Sequence, residues 1–383
     1  MLTPPRRILV INLQHHGDVL LTTPVFAALK RQYPAVEIDA MVFAETAPMI
    51  QGHPDLTKIW KLPRRKDAGK GLKRLTAQLR LYRQIRQRRY DWVLYPGDRW
   101  PGAWAALASG AALRVSHEIA KRDNCLWRWA FPRRLPYTTS GHMVERNLNF
   151  LRELGLQVDT RVDRCRMAFN SDDEARVRQK LAAAGIDGDY ILVHPTSRWF
   201  FKCWEDDRLA EVISALAADG HKIVLTAAPA AHEMALIENL LALAPHPNVV
   251  SLAGQLTLPA LAAAIAGARL FIGVDSAPMH MAAALDIPTI ALFGPSNIEA
   301  WRPWSDKAIV ISAADYGPLI APGDVDTGTL ERYLTNIPVE PVLEAARAQL
   351  ARFSRNAHPG CRRIESEGQL PPRLSSSRES PSD

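Results

Sequence analysis

The residues best suited to chemistry fall in four short loops. The first is His15-His16-Gly17-Asp18, just after the apolar run Arg7 to Leu13. A carboxylate here serves as a general base if it faces a cleft, and Gly17 lets the backbone approach a ligand closely. Asp18 equally suits a helix N-cap, and the two roles are compatible. The second loop is His194-Pro195-Thr196-Ser197, with Lys202 nearby. Hydroxyls and an ammonium suit a diphosphate, although an ordinary polar loop reads the same way. The third is Thr226-Ala227-Ala228-Pro229, followed by Glu233. The fourth runs from Asp275 to His280 and includes Ser276, Ala277 and Pro278. It separates an apolar run from an Ala-rich helix. Backbone N–H groups at such a helix start hold phosphate, and Pro278 fits a first turn that needs no N–H there. A capped helix with no ligand is the alternative. An Asp and a His in one short loop tip the reading towards function.

The loops need strands and helices to aim them. In the first half, Arg7–Leu13, Ile38–Phe43, Ile59–Leu62 and Asp91–Tyr95 read as strands. Helices are expected from the first loop to about Tyr33, over Trp104–Ala112 and over His142–Leu154. In the second half, strands are expected at Tyr190–His194, Ile223–Thr226, Ala268–Val274 and Thr289–Phe293. The helices between them are Asp172–Ala184 (capped by Ser171), Trp204–Asp219, Glu233–Ala244, Leu258–Ala266 and Met279–Leu285. Pro341–Arg352 is a last helix. Strands alternating with helices imply parallel sheets whose ligands lie at the strand carboxyl ends. The expectation is therefore α/β, with two Rossmann-like domains facing a central cleft: residues 1–165, then 166–340. A C-terminal helix over 341–353 and a disordered tail over 354–383 follow, the tail holding seven Ser and four Pro. Three of the four loops belong to the second half, which makes it the nucleotide side and the first half the acceptor side.

Composition excludes several classes. Hydrophobic content of 47% and charged content of 23% are those of an ordinary globular chain. No apolar run reaches the ~18 residues needed to span a bilayer. The N-terminal apolar run is too short for a secretory signal, and a first buried strand explains it better. The four Cys are widely spaced with no CxxC, which fits a reducing cytoplasm. Net charge is +7, but Lys61 to Arg89 holds twelve Lys/Arg and one Asp. Without that segment the chain is acidic. Leu72, Leu75, Leu79, Tyr82 and Ile85 recur in it at helical spacing, so an amphipathic helix with a cationic outer face is expected. Arg83, Arg86, Arg88 and Arg89 would form a patch for something anionic, or simply a solvated face. No recognisable nucleic-acid module accompanies it, so a nucleic-acid partner is not expected. GxGxxG, GxxxxGK[ST] and GxSxG are absent. Asp324-Val325-Asp326 is a lone DxD-like triplet in a late loop, weak evidence for a metal.

Residues 7–345 resemble glycosyltransferase family 9, the lipopolysaccharide heptosyltransferases. The resemblance rests on RILVINLQHHGDVLLTTP, on HPTSRWFFKCWEDDRLAEVI, and on GVDSAPMHMAAALDIPTIALFGPSN followed by Trp301-Arg302-Pro303-Trp304. The HHGDVLLTTP and FKCW details look most like the heptosyltransferase III branch, which adds a side-branch heptose to the inner core. The resemblance implies a GT-B fold, the donor ADP-L-glycero-β-D-manno-heptose, a nascent lipid A–inner core acceptor, and inverting transfer without a metal or other cofactor. It implies Asp18 as catalytic base, flanked by His16 and Gly17, and Lys202 as support for the departing diphosphate. Thr196 and Ser197 would contact phosphate. Asp275 would contact the donor sugar, Ser276, Ala277 and His280 would surround the diphosphate, and Glu233 would meet the ribose. The family more often reads Asp-Thr-Gly or Asp-Ser-Gly/Ala where this chain has Asp275-Ser276-Ala277-Pro278, and Pro278 removes one N–H. A cytoplasmic enzyme, peripheral on the anionic inner face of the inner membrane, is the expected setting. A relative with another acceptor, a non-catalytic sugar-nucleotide binder and a nucleic-acid binder remain as alternatives.

Overall fold

The computed structural model describes residues 3–64 and 72–353, with the side chains of 72–74 left out. The expectations for 65–71 and for the tail 354–383 lie outside the described residues.

The first half runs β1 (Arg7–Asn12), α1 (His16–Leu20), α2 (Thr23–Gln32), β2 (Glu37–Phe43), β3 (Lys58–Leu62), α3 (Leu72–Arg88), β4 (Trp92–Tyr95), α4 (Trp100–Ser109), β5 (Leu113–His117), α5 (Cys125–Ala130), β6 (Arg133–Leu135) and α6 (Met143–Arg152). The second runs α7 (Ser171–Ala183), β7 (Ile191–His194), α8 (Asp206–Ala218), β8 (Ile223–Leu225), α9 (Ala231–Leu243), β9 (Val249–Ser251), α10 (Leu258–Ala266), β10 (Leu270–Val274), α11 (Ala277–Ala284), β11 (Thr289–Phe293), α12 (Ile298–Trp301), β12 (Ala308–Ser312) and α13 (Val339–Arg352). Two six-stranded sheets result, ordered β3-β2-β1-β4-β5-β6 and β12-β11-β10-β7-β8-β9. Every strand pair is parallel. Read from opposite ends, the two orders are the same. Strand order reverses between β1 and β4, and again between β7 and β10. Those switch points are where open α/β sheets bind ligands.

Alternate strand residues feed different cores, as the period of two requires. Ile8, Val10, Ile38 and Leu94 point into a core shared with Leu192, Val224, Phe271 and Phe293 of the second sheet. Leu9, Ile11, Met41 and Val93 face an outer core under α3, α4 and α5. On the far side, Ile191, Val193, Ile272 and Leu292 pack under α8, α9 and α13. The two halves are thus joined by a dry middle core. Helix α13 packs on the outer face of the second sheet through Val342, Ala346 and Leu350.

Four strands have no counterpart in the sequence reading: β5, β6, β9 and β12. β6 and β9 have only three residues each, and β6 (Arg-Arg-Leu), β9 and β12 are edge strands, β6 showing the polar residues that an edge tolerates. Helix α4 begins at Trp100, not Trp104, because Pro101 suits its first turn. Asn170, not Ser171, caps α7, its side chain accepting the Asp173 N–H at 2.8 Å. The expected helix to Tyr33 is two helices, α1 and α2.

The basic helix α3 departs furthest from expectation. Its buried side is Leu81, Tyr82 and Ile85, over the outer core. Leu75 and Leu79 are 52% and 57% exposed, so among the described residues nothing covers this part of the apolar stripe. Arg88 is not a free surface charge, and Arg86, though exposed, leans on the neighbouring helix. Arg86 lies against Gly110, with its guanidinium 3.4 Å from the Ser109 carbonyl. Arg88 donates to buried Asp39 at 2.9 Å and also pairs with Glu37. Arg83 and Arg89 are exposed, as expected. Among the described residues, no helix is long and apolar enough to cross a membrane.

Candidate active site

The loop after β1 is sewn to the first half. Asn12 Nδ2 donates to the Asp18 carbonyl at 3.2 Å and to Thr22 Oγ1 at 2.6 Å, and Thr22 Oγ1 donates to the same carbonyl at 2.8 Å. His15 is the N-cap of α1 and Asp18 its third residue, so Asp18 is not the cap. Its Oδ2 accepts the His15 N–H at 3.2 Å. Burial pushes the Asp18 carboxyl up to about 6, against the pull of that hydrogen bond and of Arg99. A carboxylate that titrates there is a competent base at neutral pH. His16 is tied back by a 3.0 Å contact from Nε2 to the Glu45 carbonyl.

The second-half loops converge at the other switch point. Thr196 Oγ1 donates to Glu233 Oε2 at 2.5 Å, and the Ala228 N–H donates to the same oxygen at 3.0 Å. His194 Nδ1 lies 3.0 Å from Thr226 Oγ1, and burial lowers the His194 pKa. The loops after β7 and β8 are therefore one buried polar network, with Glu233 in the first turn of α9. Lys202 Nζ pairs with Asp275 Oδ2, both largely buried, and lies 4.9 Å from the Trp199 ring centroid. Ser197 is buried beside the Asp275 carbonyl. Ser276 is the N-cap of α11, with Ala277 and Pro278 as its first helical residues. Among the described residues its Oγ is buried without a hydrogen-bond partner, and so is His280 Nδ1 one turn on. Burial lowers the His280 pKa to about 4, which keeps the ring neutral. Two orphaned polar atoms at one helix start are costly unless something binds there.

The two halves meet at this point. A Cβ on Gly17 would lie 3.0 Å from His280 Cδ2, so the glycine lets α1 touch α11. Arg198 Nη1 reaches His15 Nδ1 at 3.2 Å, and the Trp199 ring meets His15 edge-on at 6.3 Å. Close by, His142 stacks on Trp304 at 4.5 Å and bonds the Arg302 carbonyl through Nε2 at 2.8 Å. The Gly141 N–H donates to Glu299 at 2.9 Å.

The structure therefore brings Asp18, Gly17, Thr196, Ser197, Lys202, Glu233, Asp275, Ser276, Ala277 and His280 to two facing switch points. Arg83, Arg86, Arg88 and Arg89 lie on α3 and its end, away from them. Asp324 and Asp326 are exposed in a loop, Asp326 accepting the Gly328 N–H at 2.9 Å. Among the described residues, no group of three or more His, Cys, Asp or Glu is placed to hold a metal. Sequence reasoning does not single out Arg99, Arg198 or His142. Arg99 had a legible signal, since Tyr95-Pro96-Gly97-Asp98-Arg99 is a Pro/Gly-bearing strand end like the loops already chosen.

Two parallel-sheet halves with facing strand ends are the architecture of the GT-B fold. A structure of a family 9 glycosyl transferase from Veillonella parvula matches with a TM-score of 0.78 at 22% identity, covering 91% of this chain and 97% of that one. E. coli heptosyltransferase WaaC with ADP matches with a TM-score of 0.70 at 20% identity, covering 90% and 99%. Residues 78–322 match the family described as "Glycosyltransferase family 9 (heptosyltransferase)". Lipopolysaccharide heptosyltransferase 3 of Escherichia coli is 35% identical over 333 residues, 87% of this chain and 96% of that protein. The chain belongs to glycosyltransferase family 9, the heptosyltransferases.

Proposed function

We propose that this enzyme is an inverting, metal-independent heptosyltransferase of the III type. It moves L-glycero-D-manno-heptose from ADP-L-glycero-β-D-manno-heptose to a heptose of the lipopolysaccharide inner core. The observation that carries the reading is the contact of Gly17 with His280, which sets the base loop against the start of α11. Asp18 takes the proton of the acceptor hydroxyl as its oxygen attacks the anomeric carbon. The bond to ADP breaks on the opposite side, so one displacement inverts the centre. Charge growing on the diphosphate meets the N-terminus of α11, the Ser276 hydroxyl and Lys202. Thr196 and Ser197 line the phosphate side, and Glu233 takes the ribose. Asp275 holds Lys202 in the structure described here and contacts the sugar when the donor enters.

The lipid acceptor requires a surface that meets the membrane. Helices α3, α4 and α5 cover one face of the first sheet and contain no Asp or Glu. They expose Leu75, Leu79, Trp104, Leu126 and Trp129, with Arg83 among them. Apolar and aromatic side chains among cations suit the headgroup region of an anionic bilayer. The enzyme then works as a peripheral protein on the inner face of the inner membrane.

The deciding experiment is ADP release from ADP-heptose in EDTA, with and without inner-core acceptor lacking the branch heptose. Acceptor-dependent release is expected. Tight ADP binding with no release would sink the acceptor assignment, and release only with added divalent metal would sink metal independence.

A further inference from the structure

Arg99 is held like a ligand-binding arginine, but among the described residues its side chain has no hydrogen-bond or ion-pair partner. It closes the loop after β4, at the first switch point, and is the N-cap of α4. Its backbone is clamped by one hydroxyl. The Arg99 N–H donates to Tyr95 Oη at 2.7 Å, and Tyr95 Oη lies 3.0 Å from the Arg99 carbonyl, to which it donates. The Tyr95 ring is buried between two glycines. A Cβ on Gly97 or Gly102 would come within 2.6 or 2.4 Å of ring carbons, so neither position admits a side chain. The guanidinium carbon lies 5.8 Å from the Phe43 ring centroid. Its Nε is buried with no hydrogen-bond partner, and no ion pair holds it among the described residues. Arg64, over the same Phe43 ring at 4.4 Å, is by contrast already paired with Glu45. A buried guanidinium edge left unpaired is costly, and an oxyanion matches its fork.

We propose that Arg99 is a specificity-determining residue. Its guanidinium receives an oxyanion of the acceptor, a phosphate or a carboxylate, that lies beside the hydroxyl Asp18 deprotonates. This rests on the heptosyl-transfer reading above. The acceptor is assigned, rather than the donor, because Arg99 stands on the first sheet next to Asp18. The donor diphosphate already has Lys202 and the start of α11 on the second sheet. The clamp fixes the point from which the side chain reaches, so the anion's position selects which hydroxyl lies over Asp18.

The test compares kcat and KM of wild type, R99Q and R99K on three acceptors: native inner core, the same after phosphatase treatment, and the same after carboxyl reduction. ADP binding by calorimetry checks that the fold and the donor site persist in each variant. R99Q is expected to raise KM for the native acceptor roughly 10–100-fold with a much smaller change in kcat. That loss should shrink about tenfold on whichever treated acceptor lacks the recognised group, which separates phosphate from carboxylate. R99K should recover part of the loss, since it keeps the charge but not the fork. Tyr95→Phe, which removes only the clamping hydroxyl, should shift KM the same way by a smaller factor. An equal loss on all three acceptors, or no loss on any, overturns the proposal. Wild type that binds ADP but transfers to none of the acceptors overturns the heptosyl-transfer reading itself, and this inference with it.

Discussion

Asp18 shows how a single carboxylate is prepared for base chemistry by its surroundings. Burial in the switch-point loop raises its pKa to about 6, while the His15 N–H and Arg99 keep it from rising further. Activity requiring the ionised form should therefore fall below about pH 6, and the acid limb of kcat/KM should report that value. Asp18→Asn should cost about 10²–10⁴-fold in kcat while ADP still binds; a variant with normal turnover would remove Asp18 from the mechanism. The same shift bears on stability. Its folded pKa lies above the ordinary 3.8, so ionising Asp18 opposes folding. That cost is absent below about pH 4 and complete above about pH 6, where two units correspond to roughly 3 kcal/mol. Asp18→Asn should thus raise Tm at pH 7.5, with the gain vanishing towards pH 4. A Tm unchanged at pH 7.5 would mean that the carboxylate is better solvated than its burial implies.

At the scale of elements, α6 and the segment after α12 are held together through one imidazole. His142 caps α6 by accepting the Val144 N–H at Nδ1, 3.1 Å away, and so Nε2 carries the proton donated to the Arg302 carbonyl. Both nitrogens are used only in the neutral ring, and burial lowers the pKa to about 4. His142→Ala removes a cap, a cross-half hydrogen bond and the stack on Trp304. It should lower stability by about 1–3 kcal/mol in urea denaturation; a change below measurement would show that the middle core alone joins the halves. Gly17→Ala places a methyl against His280. It should lower kcat/KM about tenfold with little change in Tm, because the strain falls on the contact between α1 and α11 and not on either sheet. Unimpaired kcat/KM would show that the two loops do not need to touch.

Taken whole, the molecule is two copies of one topology whose inner faces share a core. His53, His142 and His280 are all buried, and burial lowers each pKa to about 4. An unfolded His binds its proton near 6.5, so the stability these neutral rings contribute is complete above that value. It is lost as pH falls towards 4, on the order of a few kcal/mol per ring. Thermal scans from pH 7 to 4.5 should show the steepest loss in that window; a flat profile would mean that the folded rings take up protons as readily as unfolded ones. The exposed face of α3, α4 and α5 gives a further whole-molecule outcome. Replacing Leu75, Leu79, Trp104 and Trp129 with Ser should weaken sedimentation with anionic vesicles at least tenfold while leaving transfer to a soluble, delipidated acceptor intact. Equal binding before and after replacement would send the membrane contact to another surface.

Periodicity and loop chemistry in the sequence determined the alternating strands and helices, and they marked most of the residues at the two switch points. Central strands such as β1, β10 and β11 are legible because both faces are covered, so each carries an unbroken apolar run. Edge strands such as β6 are not, because one side of the ladder is free and polar residues remain. The stripe on α3 fixed a helix and nothing about its cover, since periodicity says which residues share a face and not what lies under it. Only the tertiary structure decided that Leu75 and Leu79 are bare while Arg88 is spent on Asp39. Only it set Gly17 against His280 across more than 250 residues of sequence, and left Arg99 clamped and unpaired beside Asp18. The reason is physical. Local sequence sets local conformation and burial preference, whereas a contact between strand ends depends on how two separately formed sheets pack, which no single segment encodes.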